Sequence, residues 1–388
     1  MAKNKVLEQQ IAVFGEGGSG KTVLVSSFYG AAQESDFVRE SRFHVVADDQ
    51  SQGHRLHQNY LGMRDEAHAP AATRFAATSY SFSIKLRTEL ATATKPAKFN
   101  ALRLIWHDYP GEWFEQGVSG PEEAGRRAET FRSLLGSDVA FLLVDAQRLL
   151  DHAGEEDRYL RSLFTNFRNS LLSLRDELLP DGKPLVDFPR IWVLALSKSD
   201  LLPDWDVVKF RDLMIRKAAD EIGDLRSVLA GFAADGTLLS IGEDFLLLSS
   251  AKFEPQRIEV SQRVGLDLVL PLAGTLPLQY HLKWANTAKV STDVLKNLVD
   301  SLGGMAAIVG LLNKLPPLVK LFKSPLGNAI SLTLPAAMDL AAQLPRQKVD
   351  ELVASTLAKR DYVGAVRAGF INDLNEGVEK QVFFRSLA

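Results

Sequence analysis

Cysteine is absent from all 388 residues, which excludes disulfides and thiolate metal sites and suits a reducing compartment. An excess of either charge is missing too: 45 Lys and Arg stand against 48 Asp and Glu, a net −3. No overall field marks the chain as a nucleic-acid binder, and no nucleic-acid partner is expected. Uncharged stretches such as LGGMAAIVGLL at 302–312 and PLGNAISLTLPAAM at 325–338 fall short of the roughly 20 residues a membrane-spanning helix needs. The opening MAKNKVLEQQ has a basic start but no apolar core, so no signal peptide is expected and the expected address is the cytoplasm. What the chain does have is 46% hydrophobic residues, enough to fill the core of one large domain or two ordinary ones.

Strand and helix patterns alternate through residue 252. QQIAVF at 9–14 reads as a short buried strand, and TVLVSSFYGAA continues as a helix after a glycine-rich loop. Residues 31–72 are polar and read as an insertion or a long switch region. SYSFSIKLRTEL at 79–90 alternates like a half-exposed strand, FNALRLIWHDYPG at 99–111 is a second strand, and TKPAK between them is a hairpin connection. The run VAFLLVDA at 139–146 predicts a strand buried on both faces. One long helix is expected over 151–179, where Leu160, Phe164, Phe167, Leu171, Leu174 and Leu178 recur at helical spacing. IWVLALSKSD at 191–200, a helix over 204–222, and a sixth strand within 244–252 complete the series. This alternation predicts an α/β, doubly wound, mainly parallel sheet. From about 285 onward no convincing strand appears, and 286–388 reads as a C-terminal helical region.

The glycine-rich loop is GEGGSGKT at 15–22, a G-x-x-x-x-G-K-[ST] pattern between a strand and a helix. Glycines let successive backbone N–H groups converge on phosphates, and the helix N-terminus adds partial positive charge. Lys21 then reaches the β and γ phosphates, and the Thr22 hydroxyl ligates Mg²⁺. Asp108-Tyr109-Pro110-Gly111 ends a strand: a carboxylate there can serve the Mg²⁺ shell, and Gly111 lets its N–H approach the γ-phosphate. SKSD at 197–200 supplies a lysine stem to lie across a purine and, in Asp200, a carboxylate to accept two N–H bonds, which selects guanine over adenine. SSAK at 249–252 would present the Ala251 N–H to the guanine carbonyl.

These four elements, in this order, resemble the G1, G3, G4 and G5 motifs of small-GTPase-like P-loop GTPases of the TRAFAC class. DYPGEW at 108–113 is similar to the signature of the YcjX-like bacterial GTPases, and its D-x-x-G-E form to the bacterial double-GTPase families. The resemblance implies a GTPase domain over 1–285, with GTP or GDP and Mg²⁺ as cofactors. It implies nucleotide contacts from Gly15, Gly17, Gly18, Ser19, Gly20, Lys21, Thr22, Gly111, Lys198, Asp200, Ser250, Ala251 and Lys252, and metal coordination by Thr22, Asp108 and a switch threonine. Thr73 and Thr78 both precede the strand at 79–90. Thr73, within P-x-x-T-R, resembles the YcjX-like pattern better and is preferred. Lys21, Thr73 and Glu112 are the candidate catalytic residues.

Two departures stand out. Ser197 replaces the usual Asn or Thr of the fourth motif, and its shorter side chain is expected to tether the phosphate loop less well. Glu112 stands where Ras-like proteins carry the Gln that orients attacking water. A carboxylate accepts a hydrogen bond from that water but sits near the γ-phosphate charge, so slow turnover without a partner is expected. Arg74 reads as a solvated switch arginine rather than a charge-stabilising finger, and Arg126 and Arg127 as solvent-facing. Trp106, Trp113 and Trp192 are expected in core or switch packing, and the scattered His44, His54, His57 and His68 lack the companions of a zinc site. In GLLNKLPPLVKLFKSPLG at 310–327 lysines interleave with leucines, a pattern that suits docking on the core, the preferred reading, or peripheral contact with the inner membrane. The expected function is a guanine-nucleotide switch whose switch regions are read by a protein partner, against a membrane-associated or assembling scaffold.

Overall fold

Strands buried on both faces form the centre of the molecule, as apolar runs without alternation require. The computed structural model describes residues 8–41, 43–71, 77–86, 100–114, 120–179, 182–185, 191–233, 239–286 and 362–386. Its strands are β1 (Glu8–Phe14), β2 (Phe43–Ala47), β3 (Thr78–Leu86), β4 (Asn100–Asp108), β5 (Val139–Asp145), β6 (Ile191–Ser197), β7 (Asp244–Leu248), β8 (Lys252–Glu254), β9 (Arg257–Glu259) and β10 (Phe383–Phe384). The main sheet runs β10-β7-β6-β5-β1-β4-β3-β2, and β8 pairs with β9 in a separate hairpin. Pairings from β7 through β4 are parallel, while β3, β2 and β10 join antiparallel at the two edges. The fold is thus α/β with a mainly parallel sheet.

Successive residues of β1 and β5 divide between two cores, as a period of 2 demands. Ile11, Val13, Val139, Phe141 and Leu143 pack with α1 (Lys21–Ala31), α3 (Gln50–Glu66), α9 (Val269–Asn286) and α10 (Tyr362–Glu379). Ala12, Phe14, Ala140, Leu142 and Val144 face α4 (Pro121–Leu135), α6 (Glu156–Ser173) and α8 (Val207–Ala230). The parallel strands share one C-terminal edge, and the strand order reverses at β1, where crossovers leave a crevice.

Three sequence expectations are corrected. The polar stretch 31–72 is not a bare insertion: it contributes α2 (Ser35–Glu40), β2 and α3, and β2 forms the sheet edge. The single helix expected over 151–179 is two pieces, α6 and α7 (Arg175–Leu178), preceded by a separate α5 (Ala146–Asp151), although all six of its periodic apolar residues are buried. A strand does follow residue 285, since β10 pairs with β7 in register Phe383↔Leu246. α9 runs to Asn286, and α10 packs back on it. TKPAK, Thr73, Arg74 and the segment 310–327 lie outside the described residues. Among the described residues, no helix is long and apolar enough to cross a membrane.

Candidate functional site

Five loops follow the parallel strands at their common edge, and their residues line one cleft of about 400 Å³. Gly17 to Thr22 come from the loop after β1, Gly111 and Glu112 from that after β4, and Gln147 from the start of α5. Lys198 and Asp200 follow β6, and Ser249, Ser250 and Phe253 follow β7. Of the residues singled out in the sequence, the structure therefore gathers the phosphate-loop, DYPG, SKSD and SSAK elements around a single opening. Gly15, Asp108, Ala251 and Lys252 are not among the residues that line it; Lys252 is exposed and ion-paired with Glu254 at 2.9 Å.

The glycine-rich loop is built for backbone exposure. Gly20, at the N-cap of α1, has φ 92°, in the left-handed region that a side chain resists. The Lys21 ammonium folds back to donate to the carbonyls of Gly15 and Glu16 at 2.8 and 2.9 Å and lies 5.2 Å from the centre of the Tyr109 ring. Tyr109 is fully buried, and its hydroxyl accepts the Gly15 N–H at 2.6 Å. Burial, reinforced by the Asp108 charge, raises that hydroxyl well above the usual tyrosine range against the opposing pull of the Gly15 bond. It stays neutral and keeps the loop fastened to the end of β4.

At the floor of the cleft the Thr22 hydroxyl donates to Asp108 Oδ2 at 2.9 Å. Gly111 is required by close approach: a Cβ there would lie 2.3 Å from Gly17 N and 2.4 Å from Glu16 C. Glu112 follows in a single 3-10 turn, Gly111–Phe114. Thr78, the alternative switch threonine, is the first residue of β3 and pairs in register with Asp108.

One surface expectation is overturned beside this turn. Arg126 is exposed, but Arg127 is buried at 4% exposure. It pairs with Glu123, donates to the Trp113 carbonyl at 3.1 Å and lies over the Trp113 ring. An arginine this deep is held by its partners rather than by water, so it braces the 3-10 turn. Trp106, Trp113 and Trp192 are buried as expected.

On the opposite side of the cleft, Lys198 has a left-handed backbone, φ 54°, and its ammonium reaches Asp145 Oδ2 at 2.7 Å. Asp200 accepts from the Ser249 hydroxyl at 2.6 Å and from the Phe253 N–H at 3.4 Å. Ala251 is fully buried and packs with Tyr60 and Met63 of α3 and with Ile258 and Val260. Ser197 donates its hydroxyl to the Val144 carbonyl at 3.3 Å, so the fourth motif is anchored to β5.

Sequence reasoning missed several groups. Asp145 caps α5 and pins Lys198; its signal was an acid closing an apolar strand, the same signal read at Asp108. Glu16, only 5% exposed, pairs with Arg148 at 3.1 Å, and Arg148 also donates to the Gly17 carbonyl at 3.3 Å. An acid inside a glycine loop signals such a partner.

A family model described as Double-GTPase 2 matches residues 9–228. The chain belongs to the Double-GTPase 2 family. No curated protein matches it. Among solved structures, this Double-GTPase 2 chain is similar to Era in complex with MgGDPNP and nucleotides 1506–1542 of 16S ribosomal RNA. Identity there is 11%, covering 63% of this chain and 52% of that one, with a TM-score of 0.27. It is also similar to the GTP-bound GTPase-like domain of S. cerevisiae Ski7, at 15% identity over 63% of this chain and 43% of that one, TM-score 0.28. A third is Methanosarcina barkeri Roco2 RocCORdC bound to GDP, at 10% identity, 79% and 70% coverage and TM-score 0.23. The Double-GTPase 2 chain thus spans about half the length of the first two structures.

Proposed function

We propose that the chain binds GTP and hydrolyses it as a conformational switch. The observation that carries this is the convergence of Lys21, Gly111, Lys198 and Asp200 on one cleft of about 400 Å³, a size suited to a nucleotide-scale ligand. In this reading the N–H groups of residues 17–22 and the Lys21 ammonium hold the phosphates, and the Gly111 N–H meets the γ-phosphate. Lys198, steadied by Asp145, lies along the base, and Asp200 reads its N–H edge. Ser250 and Ala251 close the base end.

The hydroxyl of Thr22 and the carboxylate of Asp108, 2.9 Å apart, are hard oxygen donors that fit Mg²⁺. Those two residues would hold the ion, joined by Thr73. When bound, Mg²⁺ neutralises charge on the β and γ phosphates. Glu112 accepts a hydrogen bond from the attacking water, and its own negative charge keeps intrinsic hydrolysis slow. Residues 70–78 and 108–120 are the segments that γ-phosphate orders and a protein partner reads.

Titration with fluorescent GDP and ADP analogues tests the reading; preference for the adenine nucleotide, or binding of neither, overturns it. Asp200→Asn replaces an acceptor of two N–H bonds by a group that is half donor. Guanine affinity is expected to fall about 10²-fold, the scale of losing a charge-assisted bond and leaving an unmatched pair, measured by competition against unlabelled GDP.

A second reading, a nucleotide-regulated scaffold on anionic membranes, rests on the basic apolar pattern at 310–327. Co-sedimentation with anionic vesicles checks it, using the full chain and a variant whose residues 287–361 are replaced by a short Gly-Ser linker. Equal pelleting of the two, or pelleting of neither, removes the reading.

A further inference from the structure

Phe253 is 40% exposed and is the only aromatic among the exposed large apolar side chains of the described residues. It stands in β8, directly after the SSAK element, and its side of the hairpin has a fixed seat. Its cross-strand partner is Ile258, which is buried with Ala251, Tyr60 and Met63. The ring therefore sits on a braced hairpin and yet stays open to solvent. Its place is specific: Phe253 lines the cleft together with Lys198, Asp200, Leu201 and Ser250, and its backbone N–H donates to Asp200 Oδ2 at 3.4 Å. That bond places the residue against the one carboxylate that would read a base edge.

A purine offers two apolar faces and one polar rim. The Lys198 stem covers a single face, and Asp200 and Ala251 take the rim, so one face has no partner among the motif residues. A flat ring held beside the rim-reading carboxylate supplies it. We propose that Phe253 is the base-stacking residue of this site, covering the guanine face that Lys198 leaves open, so that the β8–β9 hairpin sets how long a nucleotide stays bound. The proposal rests on the guanine-nucleotide reading above and assigns it a residue outside the recognised motifs.

Phe253 belongs to the hairpin after β7 and not to the loop after β1, so its removal separates base from phosphate. Phe253→Ala is expected to weaken GDP binding about tenfold, the scale of a lost base–aromatic stack, chiefly through faster release. Inorganic pyrophosphate, which has no base, is expected to bind parent and variant alike, and Phe253→Tyr to restore GDP affinity. In Phe253→Trp, added GDP is expected to quench tryptophan emission beyond any change in the parent. Unchanged GDP affinity in Phe253→Ala overturns the stacking role and leaves the guanine-nucleotide reading standing. Equal losses for GDP and pyrophosphate also overturn it, by showing that the residue acts on the fold of the site. Failure of the parent to bind GDP overturns both.

Discussion

Lys21→Ala is expected to remove measurable nucleotide binding, a loss of 10³-fold or more. Lys21 is only 6% exposed, and its ammonium rests over an aromatic ring with two carbonyls as its acceptors. A cation so placed is already desolvated, and a phosphate arriving there gains the full strength of a charge-assisted bond. Truncating one member of a buried charge pair costs about 2 to 5 kcal/mol, much of it from the charge left unmatched. In this site the unmatched charge would be a polyphosphate held by amides alone. Melting with and without GDP gives a clean readout. At 100 times the dissociation constant the parent gains about 2.7 kcal/mol from ligand, and Lys21→Ala is expected to gain none. A variant that still shifts with GDP would place the phosphates elsewhere.

Ending the chain after Gln381 is expected to be the most damaging change to stability. Phe383 is 1% exposed, and Val382 accepts the Leu247 N–H at 2.8 Å beside it. Ser386 donates its backbone N–H to Asp244 at 3.1 Å, and Tyr280 donates to the same fully buried carboxylate. Burial, then the Asp244 charge, push the Tyr280 hydroxyl up from its usual range, so it remains a donor. Removing the last seven residues opens the core at Phe383, bares the β7 edge and takes one donor from Asp244. Loss of a buried Phe alone costs about 3 to 5 kcal/mol, against a typical total of 5 to 15. The truncated chain is expected to be largely unfolded or insoluble. Phe383→Ala, measured by urea unfolding, is expected to lose about 3 kcal/mol; a loss under 1 would show that β10 contributes little.

The motif residues were legible because each depends on its own loop. GEGGSGKT, DYPG and SKSD carry their geometry in glycines, strand ends and single charges, and the structure brings all three to one cleft. The polar 31–72 stretch hid β2 because an edge strand of five residues buries only Val45 and Ala47, too few for a period of 2 to emerge. Two paired residues make β10, below any pattern threshold, and it exists only because β7 offers an open edge. Arg127 looked solvated on an amphipathic helix; nothing local announces that Trp113 and its carbonyl will lie opposite. Ser197 looked like a weakened tether to the phosphate loop, whereas its hydroxyl satisfies a β5 carbonyl instead.

The return of the chain to the sheet at α10 and β10 has a mechanical consequence. The chain lies on the sheet face through α9 and again from Tyr362, where α10 packs on α9. A ligand that grips this paired segment pulls on both helices together. Through β10 that pull reaches β7, the strand that delivers Ser249 and Ser250 to the cleft. Any such force that alters nucleotide affinity must, by linkage, be answered in kind: nucleotide changes the grip on the segment by the same factor.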